Sequence, residues 1–216
     1  MTERRVTLTF DNGPTPGVTE RVLDILARAR ILSTFFVIGR NLDDRAAASL
    51  MKEAHAAGHW IGNHTLSHTV ALGDRPDRAY AVSEIEGAEQ RIGECAHPEK
   101  LFRPYGNSGR IGPHLLSRAA LDHLLAHRFR TVLWNNVPGD WRDPNGWVDR
   151  CIAQASEQAW SVVVLHDILS GCLARLPELL RRFEDLGVTF EQDFPEAVTL
   201  TRAGKVVNLL PSYVAD

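Results

Sequence analysis

The feature that most constrains this chain is an alternation running almost its full length. Short apolar runs, several of them rich in Val, Ile, Phe and Trp, alternate with longer amphipathic stretches. The runs fall at residues 5–10, 33–39, 59–64, 101–105, 130–135, 161–166 and 188–193. Several lack strict apolar–polar alternation, as strands buried on both faces do. The stretches 18–30, 45–57, 77–92, 113–126, 146–158 and 173–186 read as helices. In the first, Val18, Val22, Ile25, Leu26 and Ala29 share one face. Asp43 or Asp44 is placed to cap the second. Pro113 opens the fourth, where a missing N–H does no harm, and Pro177 should start or kink the last. Seven strands alternating with six helices imply parallel strands joined by right-handed crossovers. The natural architecture for 216 residues is a single α/β domain forming a closed or nearly closed (β/α) barrel, with an open doubly wound sheet as the alternative.

Composition enters mainly to exclude. A net charge of −3 supplies no basic field for nucleic acid or an anionic membrane. No apolar run is long enough to span a bilayer. The N-terminus, Met1-Thr2-Glu3-Arg4-Arg5, enters the first run with no signal-like apolar segment before it. Cys95, Cys151 and Cys172 are odd in number and lack metal-type spacing, so free thiols are expected. Both features point to the cytoplasm, or else to an exported protein whose leader has been removed.

Chemistry gathers at the ends of the runs. The first closes on Thr9-Phe10-Asp11-Asn12-Gly13-Pro14, which feeds a carboxylate into a sharp turn. His64-Thr65-Leu66-Ser67-His68, Arg103-Pro104-Tyr105-Gly106, Asp140-Trp141 and Leu165-His166-Asp167 follow in order. In a barrel, the C-terminal ends of the strands are where functional side chains collect. His64 and His68 stand four apart, so on a helical turn they share a face and can chelate one metal. Asp11 is the candidate general base, and Arg103 is placed to orient it through a bidentate pair. Asp167 should face away from His166 if the strand continues. Trp141 and Leu165 are candidates for the wall of an apolar pocket that receives a substrate.

The order of these motifs resembles the polysaccharide deacetylase family, also called the NodB-homology or carbohydrate esterase 4 family. Its pattern is a TFDDGP-like strand end, an H-S/T-x-x-H pair, an Arg-Pro segment, an Asp-Trp and a Leu-x-His. The resemblance spans Thr9 to about Asp193. It implies a distorted (β/α) barrel, often of fewer than eight strands, and a hydrolase of C–N amide bonds acting on an N-acetylated sugar. It also implies a divalent metal, Zn-like, held by His64, His68 and the second acid of the first motif. His166 becomes the general acid, Asp140 its partner, and the backbone near Tyr105 an oxyanion donor.

Three departures qualify the resemblance. The second acid is Asn12, an amide that contributes only a dipole, which should weaken metal binding. The Arg-Pro segment is one residue short, which puts the placing of Tyr105 in question. An acid often found three residues before the Asp-Trp is Val137. Three arrangements stay open: a metal on His64, His68 and Asn12, a metal on the histidines and water, or no metal. The rival functions are a metal-independent amidase acting on a small or cyclic amide, close to the allantoinase-like branch, and a catalytically inactive carbohydrate-binding homologue.

Overall fold

A computed structural model describes residues 4–215; Met1–Glu3, which precede the first apolar run, and Asp216 lie outside the described residues. The first half of the chain holds β1 (Arg5–Asp11), α1 (Thr19–Ala29), β2 (Thr34–Val37), α2 (Arg45–Ala56), β3 (Trp60–Asn63), α3 (Arg78–Ile92) and β4 (Leu101–Phe102). Next come β5 (Leu116–Ser117), α4 (Arg118–Ala126), β6 (Arg130–Val132), α5 (Trp147–Ser156) and β7 (Trp160–His166). The chain closes with α6 (Leu176–Asp185), β8 (Thr189–Glu191), β9 (Thr199–Arg202), β10 (Lys205–Val206) and β11 (Val214–Ala215). Every expected strand and helix is present, most of them shortened, while β1 and β7 run one residue longer than expected. Asp44 caps α2 by accepting from the N–H groups of Ala46 and Ala47, and Pro177 sits in the first turn of α6.

Strands β1, β2, β3, β4, β6, β7 and β8 pair in parallel, as short crossovers through helices require. The main sheet runs β10-β9-β6-β4-β3-β2-β1-β7. On β1, β7 covers one edge throughout, while β8 and then β2 share the other. Beyond β6 the chain returns to β7 through a parallel bridge, Asn136↔Val163, with Val164 N–H donating to the Asn136 carbonyl at 2.9 Å. The sheet therefore curls into a distorted (β/α) barrel rather than opening flat.

Pleating sorts the side chains. Val6, Leu8 and Phe10 of β1 and Val163 and Leu165 of β7 pack outward against Val22, Leu26, Trp147, Leu179 and Phe183 from the helices. Thr7, Thr9 and Asp11 take the alternate positions on β1 and are buried. A second core joins Phe36, Phe102, Val162 and Val164 to Ile85 of α3 and Leu121 and Leu124 of α4.

Two expectations need correction. Residues 113–126 are not one helix. Pro113–Leu115 form a 3₁₀ turn, Leu116–Ser117 pair with β11, and α4 starts only where Ser117 accepts the Ala120 N–H. The β9–β10 hairpin and β11 were not anticipated. The hairpin's turn uses Ala203 and Gly204, both with positive φ (53° and 82°), and β9 pairs antiparallel with β6. Among the described residues no helix is long and apolar enough to cross a membrane.

Candidate active site

Asp11 and His166 end neighbouring parallel strands and are direct ladder partners. Both fall on the inward register of their strands, and both line one cleft at the strand ends. The turn after Asp11 is built for close approach. Asn12 has φ 75°, a left-handed conformation that Asn tolerates better than most residues. Asn41 Nδ2 donates to the carbonyls of Asn12 (2.7 Å) and Gly13 (3.2 Å). A Cβ on Gly13 would lie 2.0 Å from the Asp167 carboxylate, so no side chain fits there. Asp167 does turn away from the cleft. Its Oδ2 accepts from Thr19 Oγ1 at 2.6 Å, and burial pushes its pKa up to about 7.

Arg103 comes up from β4 into the barrel interior, fully buried over the Phe36 ring at 4.0 Å. Its pair with Asp11 is not bidentate. One guanidinium nitrogen donates both to Asp11 Oδ1 (2.8 Å) and to Thr9 Oγ1 (2.6 Å), while the other donates to the Leu133 carbonyl (3.0 Å). The fork is split because strand β1 offers a hydroxyl beside the carboxylate. The arrangement still compensates the Asp11 charge and leaves Oδ2 turned toward His64, whose Nε2 is 3.6 Å away.

His64 and His68 lie on the irregular segment after β3, not on a helical turn; Thr65 and His68 both have positive φ (67° and 51°). Their rings nevertheless meet, with centroids 4.7 Å apart. His64 Nδ1–H donates to the Arg103 carbonyl at 2.8 Å, which reserves Nε2 for the cleft. Burial lowers the pKa of both rings, that of His68 to about 2, with His64 and His166 adding to the effect. Burial thus favours the neutral imidazole at both positions, the form a metal ligand must take. Asn12 Oδ1 is buried in the same cleft with no hydrogen-bond partner. An orphaned amide oxygen beside two neutral imidazoles is a donor set that fits a divalent cation.

On the other wall, Asp140 is fully buried and grips His166 twice. Oδ1 accepts from Nδ1–H (2.8 Å) and Oδ2 from the His166 backbone N–H (2.9 Å). Burial alone would lower the His166 pKa. The Asp140 hydrogen bond and charge, helped by Asp11 and Asp167, outweigh it and raise the pKa above the usual imidazole value.

The remaining expectations divide. Trp141 stands edge-on to His166 with centroids 4.5 Å apart, and Tyr105 lies against His68 at 4.1 Å; both line the cleft despite the shortened Arg-Pro segment. Leu165 does not. It is fully buried in the helix-side core, because an inward His166 forces its neighbour outward, and Val164 lines the cleft instead. Val137 lines the cleft as an apolar wall. Trp134 and the 106–109 loop were missed. Trp134 Nε1 donates to the Gly109 carbonyl at 3.1 Å, and a Cβ on Gly106 would meet the Trp134 ring at 2.4 Å. The Gly-Asn-Ser-Gly run was the available signal, since Asn107, Ser108 and Gly109 all take positive φ.

Comparison with known proteins points to one family. The sequence profile of the family described as "Polysaccharide deacetylase" matches residues 1–122. The chain is 34% identical to a chitooligosaccharide deacetylase of Rhizobium leguminosarum over 176 residues, covering 79% of this chain and 73% of that protein. It is 30% identical to a peptidoglycan-N-acetylglucosamine deacetylase of Bacillus cereus, covering 87% and 85%. A solved structure described as T48 deacetylase with substrate superposes with a TM-score of 0.71 at 28% identity, covering 88% and 89%. By motif, fold and sequence match, the chain belongs to the polysaccharide deacetylase family.

Proposed function

We propose that the chain is a hydrolase removing acetyl from an N-acetylated carbohydrate, with Asp11 as general base and His166 as general acid. One observation carries the reading. Two ladder partners at adjacent strand ends, a carboxylate and an imidazole, share one cleft, and each is held by its own buried counter-charge. The relatives named as chitooligosaccharide and peptidoglycan-N-acetylglucosamine deacetylases support it.

Asn12, His64 and His68 are the residues that would hold a divalent ion. Such an ion supplies positive charge that polarises a carbonyl and eases deprotonation of water. The protein's own groups do the rest. Arg103 occupies Asp11 Oδ1 and leaves Oδ2 to take the proton of the attacking water. Asp140 fixes the His166 ring through Nδ1, so that Nε2–H is the proton offered to the leaving nitrogen. Trp141, Val137 and Val164 supply an apolar wall suited to a methyl group. The cleft is about 180 Å³, below the roughly 300–1,000 Å³ of sites that enclose a drug-sized ligand. It therefore takes in a reacting group and leaves the rest of a sugar chain outside.

The test is acetate release from N-acetylchitooligosaccharides and from a panel of small and cyclic amides, before and after chelation. The expected result is acetate from the oligosaccharides, lost on chelation and restored by a divalent ion. Hydrolysis of a cyclic amide that survives chelation, with no acetate from any sugar, would select the metal-independent amidase instead.

A further inference from the structure

We propose that Glu86, His123 and His127 form a second divalent-cation site, for Zn²⁺ or a similar first-row ion, that ties α3 to α4. None of the three lines the cleft. His123 lies in the last turn of α4 and His127 is its C-cap, joined by the His127 N–H bond to the His123 carbonyl at 3.0 Å. One helical turn apart, the two imidazoles share a face. Their rings stack with centroids 4.2 Å apart and 27° between planes. Glu86 reaches across from α3. Its Oε1 is 2.7 Å from His123 Nε2 and 3.8 Å from His127 Nδ1, and the three donor atoms lie within 4.8 Å of one another.

A simple ion pair accounts for only half of this. His123 alone satisfies the carboxylate, while His127 at 3.8 Å is too far for a hydrogen bond yet is stacked on another imidazole. Ligand atoms about 2.0–2.1 Å from a tetrahedral zinc stand roughly 3.3 Å apart, and the two observed separations bracket that value. The set is His₂Glu, with nitrogen and oxygen donors suited to Zn²⁺. His123 is 7% exposed, Glu86 30% and His127 48%, so one ligand is anchored in the core while the outer side admits an ion and a fourth, water ligand.

The placement has a structural consequence. Helix α3 also carries Glu84, which accepts the Ser67 N–H at 2.9 Å, and Glu89, which accepts from Asn63 Nδ2 at 3.1 Å. Both bonds hold the segment that bears His64 and His68. A cation at Glu86 braces the helix behind that segment.

The experiment uses the full chain with His64→Ala and His68→Ala, so that zinc uptake at the cleft is removed, and Zn²⁺ alone as probe. After chelator treatment, zinc is titrated against a chromophoric competitor and by thermal melting. The expected result is one equivalent bound and a zinc-dependent rise in Tm. Adding His127→Ala or Glu86→Gln should weaken binding by at least about tenfold and abolish the rise. His127→Ala in the otherwise native chain should leave acetate release unchanged. No zinc uptake by the double variant, or uptake of unchanged affinity in both added variants, overturns the proposal. The readout is binding and melting, so it stands or falls separately from the deacetylase reading.

Discussion

Two buried carboxylate–cation pairs face each other across the cleft, and they differ in one respect that decides their chemistry. Asp11 is paired with Arg103, a cation that never gives up its charge. Asp140 is paired with His166, a cation that titrates. In the first pair the carboxylate is the end of the chain of contacts and faces the cleft. In the second the carboxylate is sealed beneath, and the imidazole faces the cleft. The same two charges, arranged in opposite order, yield a group suited to accept a proton and a group suited to donate one. The comparison also explains the burial. Arg103 and Asp140 are both fully buried, and each touches its partner without lining the cleft.

Changes that invert either pair should separate them. The largest effect is expected from His166→Ala, which removes the donor and should lower kcat about 10²–10⁴-fold with little change in melting temperature. Acetate release at saturating oligosaccharide measures it. Arg103→Ala should act on stability as well as rate. It leaves Asp11 buried without compensation, at a cost of about 3–5 kcal/mol visible in denaturant unfolding.

Asp140→Asn should have a smaller and more diagnostic effect. The Asp140 hydrogen bond and charge hold the His166 pKa above that of an ordinary imidazole, so with His166 as the acid, activity should fall on the alkaline side as pH rises through that raised pKa. Without the negative charge, burial pushes the pKa down, and the alkaline limb of the pH–rate profile should move to lower pH. An unmoved limb would mean that His166 is not the acid. The smallest effect is expected from Asn12→Asp. It should tighten divalent-metal binding by about tenfold or more, read by competition with a chelator.

Much of this architecture could be read in the chain before any coordinates. The apolar runs and helical patterns located every parallel strand of the main sheet. Asp11, His64, Arg103 and His166 fall at or just beyond strand ends, as a barrel requires, while Asp140 lies in the loop between β6 and α5. What failed has physical causes. Leu165 was misassigned because alternation was not carried one residue back from His166; the same rule had placed Asp167 correctly. The split fork of Arg103 depends on Thr9 and the Leu133 carbonyl, partners brought together only by the curl of the sheet. The β9–β10 hairpin did carry a signal, in the Thr199–Arg202 alternation and the Ala203–Gly204 turn, but its strands are too short to stand out. The Glu86, His123 and His127 cluster spans two helices, so nothing in the linear sequence brings its three members together.

The central claim is that Asp11 and His166 act on one carbonyl as a unit. The most direct test is acetate release by the Asp11→Asn, His166→Ala double variant compared with each single variant. Groups that work as a unit are strongly non-additive, so the double variant should be little slower than the slower single one. If the two losses multiply, or if either single variant keeps a near-native rate, the two groups do not share a reaction and the account is wrong.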